Sequence, residues 1–314
     1  MIRVSGLREG KKLFKALGSD IRIAILELLL EDDNMNLNDL ATALNLTNGA
    51  LTSHIRQLEE AGMIAVNTKN SAGNEKKYCV TAERILVQIR KERESSNHYE
   101  TDIKVGSYSD YMVAPSCGLS TATHYIGQVD DPRYFSHPDR AECEILWFTE
   151  GYVEYILPNL LPPNQKADQI TISAELCSEA PGSNNQWPSD IHFYLNGVLL
   201  GAWTSPGDFG DIKGRFTPEW WNANMNQYGL LKSVTVNHDG SFIDGIKMSD
   251  TTIDRLELHQ NSPVRFRFAV PAEAEHVGGL TIFGKSFGNY NQDIKVRVEY
   301  SPKEKSSRNP GKLL

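Results

Sequence analysis

No stretch of this chain approaches the roughly 20 consecutive apolar residues that a membrane-spanning helix requires. The amino-terminal "MIRVSGLREGKK" has no apolar core of the kind a secretory leader carries. Cysteine is scarce, with four in 314 residues, at 79, 117, 143 and 177. Their positions show neither the paired spacing of a zinc site nor the density of a disulfide framework. Positive charge is short as well: 32 Lys+Arg against 40 Asp+Glu leave a net charge of −8. These shortages imply a cytoplasmic protein in a reducing compartment, with no membrane partner, no metal and no cofactor. As a whole, the chain also looks unsuited to binding a polyanion.

Dividing the charge changes that last conclusion. Residues 1–94 hold 14 Lys+Arg and 13 Asp+Glu, a net +1, so the remaining 18 and 27 give residues 95–314 a net −9. The acidic surplus of the second part would repel phosphate, which confines any nucleic-acid contact to the first. A hydrophobic content of 40% is enough for two folded cores. The expected organisation is a helical domain over 1–95, an all-β domain over 96–302 and a disordered tail over 303–314.

Within the first part, "LTNGALTSHIRQLEEAGMI" (46–64) places Leu51, Ile55 and Leu58 on one helical face, with Thr47 before them as an N-cap and Gly62 after them as a stop. The other face carries Gly49, Ser53, Arg56 and, further along, Glu60, with Asn48, Thr52 and Gln57 at its flanks, and it opens with small residues and short hydrogen-bonders that allow close approach to another surface. A major groove demands such a face. Upstream, "LFKALGSDIRIAILELLLED" reads as two helices, with Ser19 capping the second, and "MNLNDLATALNL" as a short third. Downstream, two short strands flank the polar turn 70–74, with Lys69, Lys76 and Lys77 beside it. A basic hairpin after such a helix forms a wing that meets phosphates while the helix meets bases.

Through "ALGSDIRIAILELL", "LTSHIRQLEEAGMI" and "KKYCVT", residues 8–95 resemble the ArsR family of winged helix-turn-helix regulators, with Thr52 and His54 at the family's usual serine and histidine positions. The resemblance implies a double-stranded DNA operator as partner, a homodimer formed through helices at 8–18 and 82–94, and repression relieved by an inducer. His54 is expected to pack and hydrogen-bond rather than read a base. The family's metal sensing does not carry over, because "MNLNDLATAL" lacks its paired cysteines.

From about residue 100 the apolar period becomes two. "DQITISAEL", "DIHFYLNGVLLGAW", "VRFRFAV" and "DIKVRVEY" alternate in this way, and Asn196-Gly197 and Asp239-Gly240 mark hairpin turns. The fold class is therefore multidomain α+β: an N-terminal winged helix-turn-helix followed by an all-β sandwich of jelly-roll type. The "DIHFYLNGVLLGAW" hairpin is weakly similar to strands of carbohydrate-binding and galactose-binding-like modules. The long irregular segment 202–229 collects Trp203, Arg215, Trp220, Trp221, Asn222 and Asn224, and Trp187 can join from a nearby loop. Flat rings and bare amides suit sugar faces and hydroxyls, so these seven are the expected effector site. Trp147 is expected in the core, and one of the adjacent Trp220 and Trp221 should face outward. Two other readings stay open: the sandwich as an interaction or dimerisation module, and the sandwich as a carbohydrate-active enzyme. For the second, Asp208, Asp211 and Glu219 are the carboxylates nearest the rings, and no catalytic residue is assigned.

Overall fold

The structure is a computed structural model that describes all residues except 1, 5–6, 9, 33, 68–75, 83–84, 88–96, 257, 259–261 and 304–314. The chain divides into two compact units, Met1–Glu94 with Asp211–Lys213, and Ser95–Gly210 with Gly214–Leu314.

In the first unit, strand β1 (Ile2–Val4) precedes helices α1 (Lys11–Leu17), α2 (Asp20–Glu31), α3 (Leu37–Ala43) and α4 (Asn48–Glu60). The stripe of α4 is buried as its spacing predicts, with Leu51 and Leu58 at 0% exposure and Ile55 at 3%. It packs against Leu40 of α3, Ile25 and Leu29 of α2 and Leu13 of α1. Local capping sets the boundaries. Asn36 accepts from the amides of Asn38 and Asp39 while Asp39 answers the Asn36 amide, a full capping box for α3. Thr47 Oγ1 accepts from Ala50 N at 3.3 Å and starts α4. Ser19 holds the extended N-cap backbone of α2, but its side chain makes no cap bond. Strands β2 (Ile64–Val66) and β3 (Tyr78–Val80) pair antiparallel, and Met35 and Asn36 join their edge through Tyr78 N to Met35 O at 3.0 Å and the Asn36–Lys77 bridge. The wing turn and Lys69 lie outside the described residues.

One expected element is replaced. Ile85–Val87 is not helical but forms strand β4, parallel to β1, with Ile2 opposite Ile85 and Val4 opposite Val87. The spacing of Ile85 and Ile89 fits a helix, yet 2–4 offers backbone partners that sequence periodicity cannot register. The remainder of the helix expected over 82–94 falls largely outside the described residues.

The second unit is built from β5 (Asn97–Ile103), β6 (Asp110–Ser120), β7 (Ile145–Leu157), β8 (Gln165–Cys177), β9 (Ser189–Leu195), β10 (Val198–Ser205), β11 (Leu230–Asn237), β12 (Gly240–Ile243), β13 (Ile246–Ser249), β14 (Val264–Val270), β15 (Leu280–Phe283) and β16 (Ile294–Pro302). Two layers follow from the pairing. One runs β6-β7-β14-β9-β10 and the other β5-β16-β8-β11-β12-β13, with β15 bonded to both β7 and β8. The inward residues of each alternating strand meet between the layers: Phe193, Phe266 and Phe268 from one, Ile172, Val234 and Val296 from the other. Each such burial contributes roughly 1.5–3 kcal/mol. The β9–β10 turn has Asn196 at φ 49° and Gly197 at φ 78°, the left-handed pair that a two-residue hairpin requires.

Candidate functional site

Each unit presents one candidate surface. On α4, Asn48, Gly49, Thr52, Ser53 and Arg56 are exposed as the sequence predicts. The hydroxyls of Thr52 and Ser53 bond back to Asn48 O at 2.7 Å and Ala50 O at 3.0 Å, which keeps that face low. A Cβ added to Gly49 would meet nothing within 4 Å. Arg56 pairs with Glu60 at 2.8 Å, and its side chain is 78% exposed. An exposed pair of this kind is worth little, so the guanidinium can be redirected at small cost. Gln57 departs from expectation: it is half-buried, and its Oε1 is shut from solvent with no partner among the described residues. That carbonyl is not presented to a ligand on the open face. His54 Nδ1 lies 3.3 Å from Arg22, whose guanidinium also donates to Ala16 O and Lys15 O, so the packing role expected of His54 matches its contacts. Lys76 is exposed and Lys77 half-exposed at the wing.

In the β unit, none of the seven expected effector residues lines the cavity described below. Trp221 is 4% exposed, packed on Trp147 and Phe287, and its Nε1 donates to Asn226 O at 2.8 Å. It is core and cannot stack on a ligand. Trp203, on β10 of the first layer, lies half-buried with Lys232 Nζ of β11 4.2 Å from its ring centre. Trp187 is exposed on its own loop, and its amide donates to Pro206 O. Arg215 is exposed with its guanidinium over Phe216, and the Asn222 side chain accepts from Asn224 N, holding a turn. Trp220 is the outward member of the adjacent pair, 40% exposed, and donates to Ala122 O at 2.7 Å.

A cavity of about 580 Å³ lies beside Trp220 instead, lined by Tyr125, Gln128, Asp130, Glu179, Ser116 and Met225 among others. Its walls meet because Thr281 of β15 sits in register with both Trp147 of β7 and Cys177 of β8. The segment after β6 and the loop after β8 are thereby drawn to the same place. Tyr125 packs edge-on to Trp220 at 5.4 Å and donates to Met225 Sδ at 3.5 Å, so the aromatic segment borders the cavity through Met225 and supports it through Trp220. Glu179 accepts from Ser116 Oγ and Thr281 Oγ1 at 3.3 Å and from Asn226 Nδ2 at 3.5 Å. Burial, and next the charge of Asp208, hold its carboxyl well above the usual range. Asp208 itself is pushed up to about 7 by burial, although Ala180 N donates to it. A hydroxyl-bonded carboxyl beside a ring and an amide can bind a polyhydroxylated ligand through directed hydrogen bonds.

Sequence reasoning missed Tyr125, Gln128, Asp130 and Glu179, which lie in segments without an apolar period. The available signal was Glu179, a carboxylate two residues beyond the continuously buried end of "ISAELC".

Residues 19–65 match the winged helix-turn-helix DNA-binding family. Residues 19–65 are thus a winged helix-turn-helix DNA-binding domain, and the whole is a helical N-terminal region followed by a large all-β domain. No curated protein matches the chain. Among solved structures, the β domain is similar to the C-terminal CBM6 of LamC, a laminarinase from Zobellia galactanivorans, at 11% identity and TM-score 0.28, over 65% of this chain and 99% of that one. It is likewise similar to a CBM36 carbohydrate-binding module in complex with calcium and xylotriose, at 9% identity and TM-score 0.27, over 64% of this chain and 99% of that one. The Agl-KA catalytic domain matches at 8% identity and TM-score 0.25, over 67% of this chain but 27% of that one. No helix of the described residues is long and apolar enough to cross a membrane.

Proposed function

We propose that this chain is a transcriptional regulator of the ArsR type, a repressor that binds an inverted-repeat operator as a homodimer and releases it when its β domain takes up a sugar or oligosaccharide. The DNA contacts are assigned to Thr47, Asn48, Gly49, Thr52, Ser53 and Arg56 on α4, with Lys69, Lys76 and Lys77 on phosphates. The effector site is assigned to the Tyr125–Glu179 cavity, with Trp220 as its support. A single observation carries the effector reading. The acidic β unit, which would repel DNA, holds a cavity of about 580 Å³ that combines a ring, an amide, a hydroxyl and carboxyls. That volume falls within the usual range for small-molecule sites, about 300–1,000 Å³. No nucleophile–base pair is assigned there, and the chain is read as a non-enzyme.

The test is to select an operator from random DNA with the full chain, then titrate the complex with a panel of sugars in gel-shift assays. At least one sugar should weaken operator binding by about tenfold, a coupling of about 1.4 kcal/mol. Firm operator binding that no sugar alters would remove the effector reading and leave the DNA-binding one standing.

A further inference from the structure

We propose that the ligand of this cavity carries an amino group, so that the site takes an amino sugar in preference to a neutral sugar and rejects sugar acids and sugar phosphates. This rests on the reading of the cavity as a sugar site and narrows it.

The wall is rich in acceptors and poor in donors. Asp130 and Glu179 both line it, and none of its described lining residues is Lys, Arg or His. The nearby Arg133 is already engaged, with its Nε and guanidinium nitrogens 2.6–3.1 Å from the carboxylate of Asp131. Asp130 accepts from Cys117 N at 3.1 Å and has no cationic partner among the described residues. Among the described residues, Glu179 is bonded by the neutral groups of Ser116, Thr281 and Asn226, and the charges that act on it are those of Asp208 and Asp130. Behind it Asn226, 2% exposed, leaves its Oδ1 without a partner among the described residues.

A buried carboxyl lacking a counter-charge is costly, which is the position of Glu179 at 7% exposure, while the exposed Asp130 adds negative charge at the rim of the cavity. An ammonium group supplies three donors, no acceptor and the missing charge. The ring of Tyr125 on the same wall adds a face suited to a cation. A neutral sugar brings donors too, but each hydroxyl also brings acceptor lone pairs, for which the wall offers mainly the Gln128 amide and the Ser116 hydroxyl. A carboxylate or phosphate would meet like charge. The upward shift of Glu179 agrees with a carboxyl that has no cation beside it.

Calorimetric titration of the full chain decides the matter, with glucosamine and galactosamine, their neutral counterparts glucose and galactose, and the two corresponding uronates as probes. One amino sugar should bind about tenfold tighter than its neutral counterpart, with no detectable uronate binding. Glu179→Gln and Asp130→Asn should each remove most of that advantage. Both keep side-chain shape, and Asp130, at φ 63°, occupies a conformation that Asn tolerates. If Glu179→Gln melts well below the wild type, the Asp130→Asn result stands alone. Equal binding of amino and neutral sugars, or tighter binding of a uronate, overturns the amino preference and leaves the sugar site intact. No binding of any probe overturns the sugar reading and this inference with it.

Discussion

Glu175 shows how single residues hold the loops of the β unit in place. From β8 its carboxylate accepts from the amides of Gly229, Asn289 and Tyr290 at 2.8–3.0 Å. Gly288 sits at φ 72°, where a Cβ would come 2.3 Å from Glu175 Oε1. A carboxylate is an acceptor at both oxygens, whereas an amide would turn an NH₂ toward backbone N–H groups. Glu175→Gln should therefore cost about 1–3 kcal/mol in urea unfolding, despite its near-identical shape. The adjacent tryptophans make a second residue-scale contrast. Trp221→Ala empties a site wedged between Trp147 and Phe287 and should cost about 3–5 kcal/mol. Trp220→Ala removes an exposed ring with one hydrogen bond and should cost about 1 kcal/mol. Equal losses from the two would show that the pair is not divided into core and surface.

At the scale of elements, α4 separates stability from binding. Gly49 has open space around it, so Gly49→Ala should leave the helix as stable or firmer by up to about 1 kcal/mol. The same change should weaken operator binding if the helix lies close against bases. Arg56→Ala should weaken specific binding by about 1–3 kcal/mol if its guanidinium reads a base. Lys76→Ala should weaken specific and random DNA alike and flatten the salt dependence. Gel shifts unchanged by Gly49→Ala and Arg56→Ala would remove α4 from the interface. Elsewhere, His238 ties the end of β11 to two other segments, with Nδ1 2.7 Å from Asp254 Oδ2 and Nε2 3.4 Å from Asp168 Oδ1. The bond to Asp254, and then the one to Asp168, raises its pKa. The stabilisation is full below the unfolded value of about 6.5 and is lost as pH rises through the higher folded value. Wild type should thus lose melting temperature relative to His238→Gln between about pH 6 and pH 8, modestly, since the ring is 41% exposed.

At the scale of the molecule, charge is divided unevenly. The near-neutral residues 1–94 contain the helix-turn-helix, while the acidic remainder holds the cavity. If the cavity is the effector site, Tyr125→Ala should abolish the response of the operator complex to sugar while the protein still binds operator. A variant that responds normally in the gel-shift titration would place the effector elsewhere.

The local patterns were legible because their causes are local. Leu51, Ile55 and Leu58 share a face by the geometry of one helix, and Ile170, Ile172, Ala174 and Leu176 share one by the pleat of one strand. Asn196-Gly197 specified its turn through its own backbone preferences. The adjacency of Trp220 and Trp221 required one ring outward, but which one depended on Phe287 and Trp147, distant in sequence. Ile85–Val87 reads as helix until 2–4 supplies parallel hydrogen bonds. Lys232 and Asp244 meet at 3.2 Å, both 3% exposed, where composition alone would leave two charges in water. The cavity was the least legible feature. Ser116, Tyr125, Asp130, Glu179 and Met225 come from segments with no common period, and they meet because β15 bonds to β7 and β8 at once. Periodicity records which side of its own element a residue faces. Which residues meet across elements is set by strand pairing over more than a hundred positions, and no local pattern carries that information.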